Sequence, residues 1–374
     1  MAIPKTDAST DMRHMRAALG LASRVLGQVA PNPAVGCVIV GEGRVVGRGH
    51  TMPGGRPHAE TEALRQAGEA ARGATAYVTL EPCSHHGRTA PCADALIEAG
   101  ISRVVVALTD PDPRVSGRGI ARLRNAGVSV TENVLEAAAR EINEGFLRRV
   151  TEGRPMVTLK LATTLDGMIA AFGGDSQWIT GEEARRYGHL LRARHDAVLT
   201  GIGTVLADDP VLNCRIDGLD HASPVRIVLD SNLRTPLDSK LVRGAAQLPL
   251  WLVTTEAAAR AHGRRFEAAG VDVLALEANE GGGIDVQAVL AALASRGITR
   301  VLAESGRAVA GSLLRADLVD RVAWFRAPAV MGGDGLTALE SLGVVKVSAL
   351  RRFHCVETVR LGQDVLETYR RTTY

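Results

Sequence analysis

Aromatic side chains are scarce in this chain: five Phe, four Tyr and three Trp make up 3% of its 374 residues. Single-stranded nucleic acid is usually held on stacked aromatics, so that class of partner loses its ordinary platform. The charge balance argues the same way, because 44 basic against 41 acidic residues leave a net +3, too little for a polyanion-binding surface. Long apolar runs are also missing. Stretches such as 34–40 and 104–108 have strand length and cannot cross a bilayer. Residues 1–16 are polar and carry no apolar h-region, so no secretory signal is expected. The five cysteines (Cys37, Cys83, Cys92, Cys214 and Cys355) are odd in number and lack the spacing of a disulfide framework. They fit reduced thiols in a cytoplasm.

What is present suggests two α/β domains, since 374 residues exceed one ordinary core. In the first half, apolar periodicity predicts helices over 13–27, 58–71, 92–99, 120–126 and 136–150. Strands are expected over 35–40, 76–80, 103–108 and 128–131, with a Gly41-Glu42-Gly43 turn leading into Val45-Val46. The polar, Gly- and Pro-containing run 151–155 reads as the boundary, giving domains over residues 1–150 and 155–374. A second βα series follows, with strands expected over 156–161, 197–200, 226–230, 250–254, 271–276, 300–303 and 322–327.

The densest chemistry lies in Pro57-His58-Ala59-Glu60, Glu81-Pro82-Cys83 and Cys92. One imidazole and two thiolates can hold zinc at three corners of a tetrahedron and leave the fourth for water. Two residues beyond the histidine, Glu60 is placed to move protons at that water without ligating. Zinc nucleobase deaminases share this layout, H-x-E followed by P-C-x-x-C. Here, however, eight residues, Ser84 to Pro91, separate the cysteines. His58 and Cys92 each stand at an expected helix start, where the helix dipole favours a thiolate. A fourth ligand from His85 or His86 would instead make the zinc structural. Two rivals also remain on the residues alone: a polynucleotide deaminase with an unrelated C-terminal module, and a zinc-stabilised scaffold.

The motifs PNPAVGCVIV, PHAE, TLEPCSHHGRTAPC and DPDPRVSGRG resemble the bifunctional deaminase/reductase family of the riboflavin pathway. The likeness continues through LKLATTLDG, SQWIT, TVLADDP, RIVLDS and the Glu304-Ser305-Gly306 turn, and the long cysteine spacing is part of it. The resemblance implies a cytidine-deaminase-like three-layer domain followed by a dihydrofolate-reductase-like domain. It implies deamination of 2,5-diamino-6-ribosylamino-4(3H)-pyrimidinone 5′-phosphate, then NADPH-dependent reduction of the product's ribosyl group to ribityl. By the same resemblance His58, Cys83 and Cys92 are the Zn2+ ligands and Glu60 the proton carrier. Asn32 and the His85-His86-Gly87-Arg88 loop are candidate contacts to the pyrimidine and its phosphate.

Taken alone, the second half reads only as an α/β domain able to bind a nucleotide. Gly201-Ile202-Gly203 is no dinucleotide fingerprint, because Leu206 stands where a third glycine belongs. The resemblance implies NADPH contacts at Ala162, Trp178, Thr204, Asp208 and Ser231. It adds the run Gly306, Arg307, Ala308, Val309, Ala310, Gly311 and Ser312 for the pyrophosphate. Substrate contacts are implied at Ser176, Arg192, Leu212, Arg215 and Glu304. Arg234 is a further candidate for the 2′-phosphate, and Lys160 and Asp166 for electrostatic assistance. One departure is local: Arg307-Ala308 stands where the family usually has Pro-Thr. Small pyrimidine ribotides are the expected partners, with no nucleic acid and no membrane, and a cytoplasmic homo-oligomer is expected.

Overall fold

Helix α1 (Ala8–Ser23) buries Met15, Ala18, Leu19 and Ala22 along one face, as their spacing predicts. It starts earlier than the apolar periodicity suggests because Asp11 is tied into the core. The Asp11 carboxylate accepts the Tyr77 hydroxyl at 3.0 Å and both Arg103 Nη atoms at 2.9 and 2.7 Å. The structure, a computed structural model, describes residues 8–84, 90–113 and 115–372. It divides after Arg154 into two units.

In the first unit, α1 is followed by β1 (Gly36–Gly41), β2 (Arg44–His50), α2 (Ala59–Ala67), β3 (Thr75–Val78) and α3 (Cys92–Glu98). Then come β4 (Arg103–Val106), α4 (Arg118–Asn125), β5 (Ser129–Thr131), α5 (Glu136–Ile142) and α6 (Glu144–Glu152). The strands form one sheet in the order β2-β1-β3-β4-β5, antiparallel from β2 to β3 and parallel from β3 to β5. Helices α2, α3 and α4 pack in series, and α1 packs on α5, which makes three layers.

Local exceptions to the periodicity have physical causes. Gly49 of β2 lies so close to α2 that a Cβ there would overlap the Ala59 carbonyl oxygen. The missing side chain lets α2 settle directly on the sheet. The helix expected over 58–71 ends at Ala67, where Gly68 takes φ 53° and a 3-10 turn follows. The one expected over 136–150 is interrupted at Asn143. Its buried amide accepts from the Ala34 N–H at 2.9 Å and donates to the Ala34 carbonyl at 3.1 Å. That tertiary pair overrides helix propensity and fixes the chain just after Pro31-Asn32-Pro33.

The second unit opens with β6 (Met156–Thr163), β7 (Met168–Ala171), α7 (Glu182–Ala193), β8 (Ala197–Gly201) and α8 (Ile202–Asp208). It continues through β9 (Val225–Leu229), α9 (Lys240–Arg243), β10 (Leu250–Thr255), α10 (Glu256–Glu267) and β11 (Asp272–Leu276). Next are α11 (Val286–Ser295), β12 (Arg300–Ala303), α12 (Arg307–Arg315), β13 (Arg321–Arg326), β14 (Gly335–Thr337), β15 (Phe353–Leu361) and β16 (Asp364–Arg371). Nine strands make the main sheet, in the order β11-β10-β9-β8-β12-β6-β13-β16-β15. The first seven run parallel, and β16 and β15 are antiparallel. Alternate residues of each strand feed different cores. Leu199, Ile227 and Val301 pack with Leu290 and Leu313, while Val198, Val228 and Leu252 pack with Phe266. The hairpin β15–β16 and the small β7–β14 pair extend beyond the strands expected from apolar runs.

Candidate active sites

The first unit brings His58, Glu60, Cys83 and Cys92 to the carboxyl end of β3. His58 is the residue before α2, Glu60 lies in its first turn, and Cys92 is the first residue of α3. The His58 Nδ1 atom lies 3.2 Å from Cys92 Sγ and 3.7 Å from Cys83 Sγ, and all three donor atoms fall within 4.8 Å of one another. Such spacing suits one ion bonded at about 2.3 Å to sulfur and about 2.0 Å to nitrogen. The donor set, one imidazole and two thiols, is zinc's own.

Electrostatics favour ligation. The Cys92 thiol and N–H and the His58 ring all support negative charge on Cys83, and its pKa falls to about 4 against the opposing effect of burial. The Cys92 N–H donates to Cys83 Sγ at 3.3 Å from the start of α3. Cys92 is pushed upward in turn by its hydrogen bond to Cys83 and by burial, so the pair shares a proton that a metal would displace. Glu60 is buried at 3% exposure, and burial lifts its carboxyl to about 7 although His58 pulls it down. Asn32, Arg56, Asp110 and Asp112 line the pocket that opens onto His58, Glu60 and Cys83. The His85-His86-Gly87-Arg88 loop lies outside the described residues.

In the second unit the expected residues collect along one edge of the sheet, at the carboxyl ends of the adjacent parallel strands β9, β8, β12 and β6. Open α/β sheets bind ligands at that edge. Ala162 is near the end of β6, Thr204 is in α8 after β8, and Ser231 follows β9. Glu304 follows β12, and Gly306 precedes α12, where Arg307, Ala308, Val309, Ala310, Gly311 and Ser312 run on. The Gly306 N–H donates to Thr204 Oγ1 at 3.2 Å and so joins two of these turns. The α12 N-terminus has no side-chain cap, and the buried hydroxyls of Thr200 and Ser305 at the same edge have no partner among the described residues. Uncapped N–H groups and orphaned hydroxyls suit a pyrophosphate-bearing cofactor.

Beside that edge is a charged cluster. Glu304 receives Arg192 Nε at 2.6 Å and Nη2 at 3.0 Å, and Lys160 Nζ lies 3.4 Å from its Oε2. Burial alone would lift the Glu304 carboxyl, but Arg192 and Lys160 outweigh it and hold it down at about 2. The periodicity gave no role to His189, which stands one helical turn before Arg192 on α7. His189 Nδ1 donates to the Asn213 carbonyl at 3.0 Å, leaving Nε2 to accept from Arg215 Nη2 at 3.3 Å. Its i, i+3 spacing from Arg192 was the available signal.

Other expected residues sit apart from this cluster. Trp178 is 66% exposed with the Arg185 guanidinium 4.8 Å above its ring, and Ser176 is half-buried nearby in the chain. Asp208 is exposed at the end of α8, Leu212 is buried, and Arg234 and Arg307 are exposed. Asp166 ties a loop together, accepting the N–H groups of Met331 at 3.1 Å and Gly332 at 2.6 Å.

Comparison with known proteins agrees with both halves. Residues 8–108 match the zinc-binding region of cytidine and deoxycytidylate deaminases, and residues 155–366 match the RibD C-terminal domain. The riboflavin biosynthesis protein RibD of Aquifex aeolicus is 42% identical over 361 residues, 96% of this chain and 98% of that one. The Escherichia coli protein of the same name is 42% identical over 366 residues, 95% of this chain and 98% of its own. Among solved structures, Acinetobacter baumannii RibD superposes with a TM-score of 0.89 at 36% identity, covering 98% of this chain and 100% of that one. A Thermotoga maritima diaminohydroxyphosphoribosylaminopyrimidine deaminase/5-amino-6-(5-phosphoribosylamino)uracil reductase gives 0.86 at 36% identity, covering 98% of this chain and 99% of its own. The chain belongs to the RibD family, and is a bifunctional deaminase and reductase of riboflavin biosynthesis with zinc and NADPH as its cofactors.

Proposed function

We propose that residues 1–150 deaminate 2,5-diamino-6-ribosylamino-4(3H)-pyrimidinone 5′-phosphate and that residues 155–374 reduce the ribosyl group of the product, 5-amino-6-(5-phosphoribosylamino)uracil, to ribityl. The observation that carries the reading is the convergence of His58, Cys83 and Cys92 beside a buried Glu60. His58, Cys83 and Cys92 hold zinc, which when bound activates water for attack on the amine-bearing ring carbon. Glu60 takes the water's proton and passes it to the ring nitrogen, then takes the proton of the hydroxyl added to the ring carbon and gives it to the amine, which leaves as ammonia while the carbonyl forms. Burial favours the protonated form of Glu60, which suits a group that must give back the proton it takes. Asn32 meets the pyrimidine at the pocket wall.

In the second unit NADPH supplies hydride to the opened sugar. Gly306 to Ser312 present the N–H groups of α12 to the pyrophosphate, and Ser231 meets the 2′-phosphate. Ala162, Trp178, Thr204 and Asp208 complete the cofactor site. Arg192 and Arg215 take the substrate phosphate, with Ser176, Leu212 and Glu304 beside it. Lys160, held by Glu304 from within β6, faces the reacting sugar. A coupled assay with the zinc-loaded full chain tests the order: ammonia release and NADPH oxidation are followed separately. Oxidation that proceeds on the diamino substrate without ammonia would overturn it.

We also propose a homo-oligomer in the cytoplasm. In its support, β15 is the edge of its sheet with most side chains exposed, and Val345 and Val347, which precede it in the chain, are 92% and 74% exposed. All five cysteines are free, and among the described residues no helix is long and apolar enough to cross a membrane. Sedimentation of the parent and a Val345→Asp/Val347→Asp variant checks the assembly. A monomeric parent sinks it.

A further inference from the structure

Glu81 takes no part in the chemistry above, yet its carboxylate is only 4% exposed and fully engaged. Oε1 accepts the N–H groups of Gly119 at 2.9 Å and Ile120 at 3.2 Å. Oε2 accepts those of Gly117 at 2.9 Å and Asp110 at 3.3 Å. Its own N–H donates to the Leu108 carbonyl at 2.8 Å, which registers it beside the end of β4. Removing a carboxylate from water is costly unless its oxygens are hydrogen-bonded, and here four N–H groups meet that demand.

All four donors belong to the stretch between β4 and the first turn of α4. The same stretch carries Asp110, Asp112 and Val115, which line the deaminase pocket with His58, Glu60 and Cys83. Within it the Asp112 N–H donates to Asp110 Oδ1 at 2.9 Å, and the Val115 N–H to the Asp112 carbonyl at 2.8 Å. Those bonds shape the turn locally, whereas Glu81 joins its start at Asp110 to its end at Gly117. On the other side, Glu81 stands two residues before Cys83. Backbone contact is close here: a Cβ on Gly119 would overlap the Pro82 carbonyl oxygen.

We propose that Glu81 is a positioning residue of the deaminase, whose carboxylate clamps the pocket-facing turn bearing Asp110, Asp112 and Val115 to the strand end that presents Cys83, and thereby sets substrate affinity. The inference rests on the deaminase reading above. Glu81 acts through the turn, so its loss strikes substrate binding harder than turnover, and metal binding least. A residue supporting only the metal would show the reverse.

The test is Glu81→Gln in the full chain. The amide keeps the size of the side chain but turns an NH2 towards two N–H groups, so two of the four bonds are lost. Ammonia release from the diaminopyrimidine ribotide, zinc content, and NADPH oxidation with preformed 5-amino-6-(5-phosphoribosylamino)uracil are measured on one preparation. The expected result is parental zinc and reductase rate, a deaminase KM raised about tenfold, and a smaller fall in kcat. An unchanged KM overturns the inference, whether kcat is kept or lost, and so does loss of zinc. Where Glu81→Gln yields no folded protein, Glu81→Asp decides, because it keeps the charge but reaches only one pair of donors. Parental KM in that variant overturns the inference, and raised KM with parental zinc supports it. If the parent itself releases no ammonia, the deaminase reading falls and takes this inference with it.

Discussion

In the first unit, His58 and Glu60 flank a single helix-starting residue, and Cys83 and Cys92 lie on either side of one connection into α3. In the second unit, Lys160, Arg192 and Glu304 come from β6, α7 and the turn after β12, and their meeting depends on where parallel strands end. The contrast follows from what each chemistry demands. A metal needs a few donors at fixed short distances, which two strand-to-helix turns can supply. A cofactor that carries its own reactive atom needs positioning along its whole length, so contacts are spread over many elements. Short-range motifs therefore carry one site, and topology carries the other.

The sharpest break in that comparison is Glu60→Gln. It removes the buried carboxylate proposed as proton carrier and leaves all three sulfur and nitrogen donors in place. Deamination should fall by about 10² to 10⁴-fold, with parental zinc content and unaltered NADPH oxidation on preformed deaminated substrate. Ammonia release within a few-fold of the parent would move the proton transfer elsewhere.

A second cut falls on the reductase side. Arg192→Leu leaves Glu304 with Lys160 as its one remaining cation in the cluster. Breaking a buried pair costs about 3–5 kcal/mol where nothing compensates, so with Lys160 still present a loss of about 2–3 kcal/mol in the second unit is expected. Denaturant unfolding reads the loss, and the reductase KM should rise while ammonia release stays parental. Equal damage to both activities would contradict the separation of the sites.

Legibility in the sequence follows the same division. The His58, Cys83 and Cys92 cluster was readable because His58 and Cys92 stand at helix starts, at Pro57-His58 and Pro91-Cys92, and Cys83 follows a strand. The parallel strands of the second unit were readable as short apolar runs. Lost from view was whatever depends on tertiary partners. Asn143 breaks a periodic helix to bind Ala34, and Asp11 extends α1 to reach Arg103. The β15–β16 hairpin escaped because its first strand is largely exposed, with Phe353, Val359 and Leu361 half-buried and polar residues between them, although Gly362 at φ 63° marks its turn. His189 and Glu81 escaped for another reason. One histidine on a helix and one glutamate before a cysteine acquire meaning only from the carbonyl, guanidinium and N–H groups brought to them in space.

The units should also differ in their response to pH. His195 is buried between the Leu191 carbonyl and the Thr158 hydroxyl, and burial together with Arg300 lowers its pKa to about 3. The folded unit then binds fewer protons than the unfolded chain, so stability is complete above the unfolded value of 6.5 and is lost as pH falls towards 3. The slope approaches about 1.4 kcal/mol per pH unit within that window, or about 2 kcal/mol by pH 5. In the first unit, burial and the Asp11 hydrogen bond raise Tyr77 to about 12, so its contribution is present below 10 and is lost as pH rises to 12. Heat inactivation of the reductase at several pH values measures the acid limb. His195→Asn carries no titrating ring and should flatten that limb below the unfolded histidine's value of 6.5. An undiminished slope would assign the acid sensitivity to another group.

The smallest expected effect tests the part of the proposed cofactor site that follows β9. The Ser231 carbonyl is held by the Thr254 and Thr255 hydroxyls at 3.1 and 2.9 Å, which fixes the backbone and leaves the side chain at the mouth of the β9 edge. If its hydroxyl meets the 2′-phosphate, Ser231→Ala forfeits one hydrogen bond to a charged group, about 1.5 kcal/mol, or roughly tenfold in NADPH affinity. NADH lacks that phosphate and should bind the variant as it binds the parent. The discrimination ratio is therefore more informative than either affinity. A ratio unchanged by Ser231→Ala but reduced by Arg234→Ala would move the 2′-phosphate along the turn to the exposed guanidinium. Either outcome leaves the proposal for Gly306 and its neighbours at α12 unaltered, because that proposal concerns the pyrophosphate and not the 2′-phosphate.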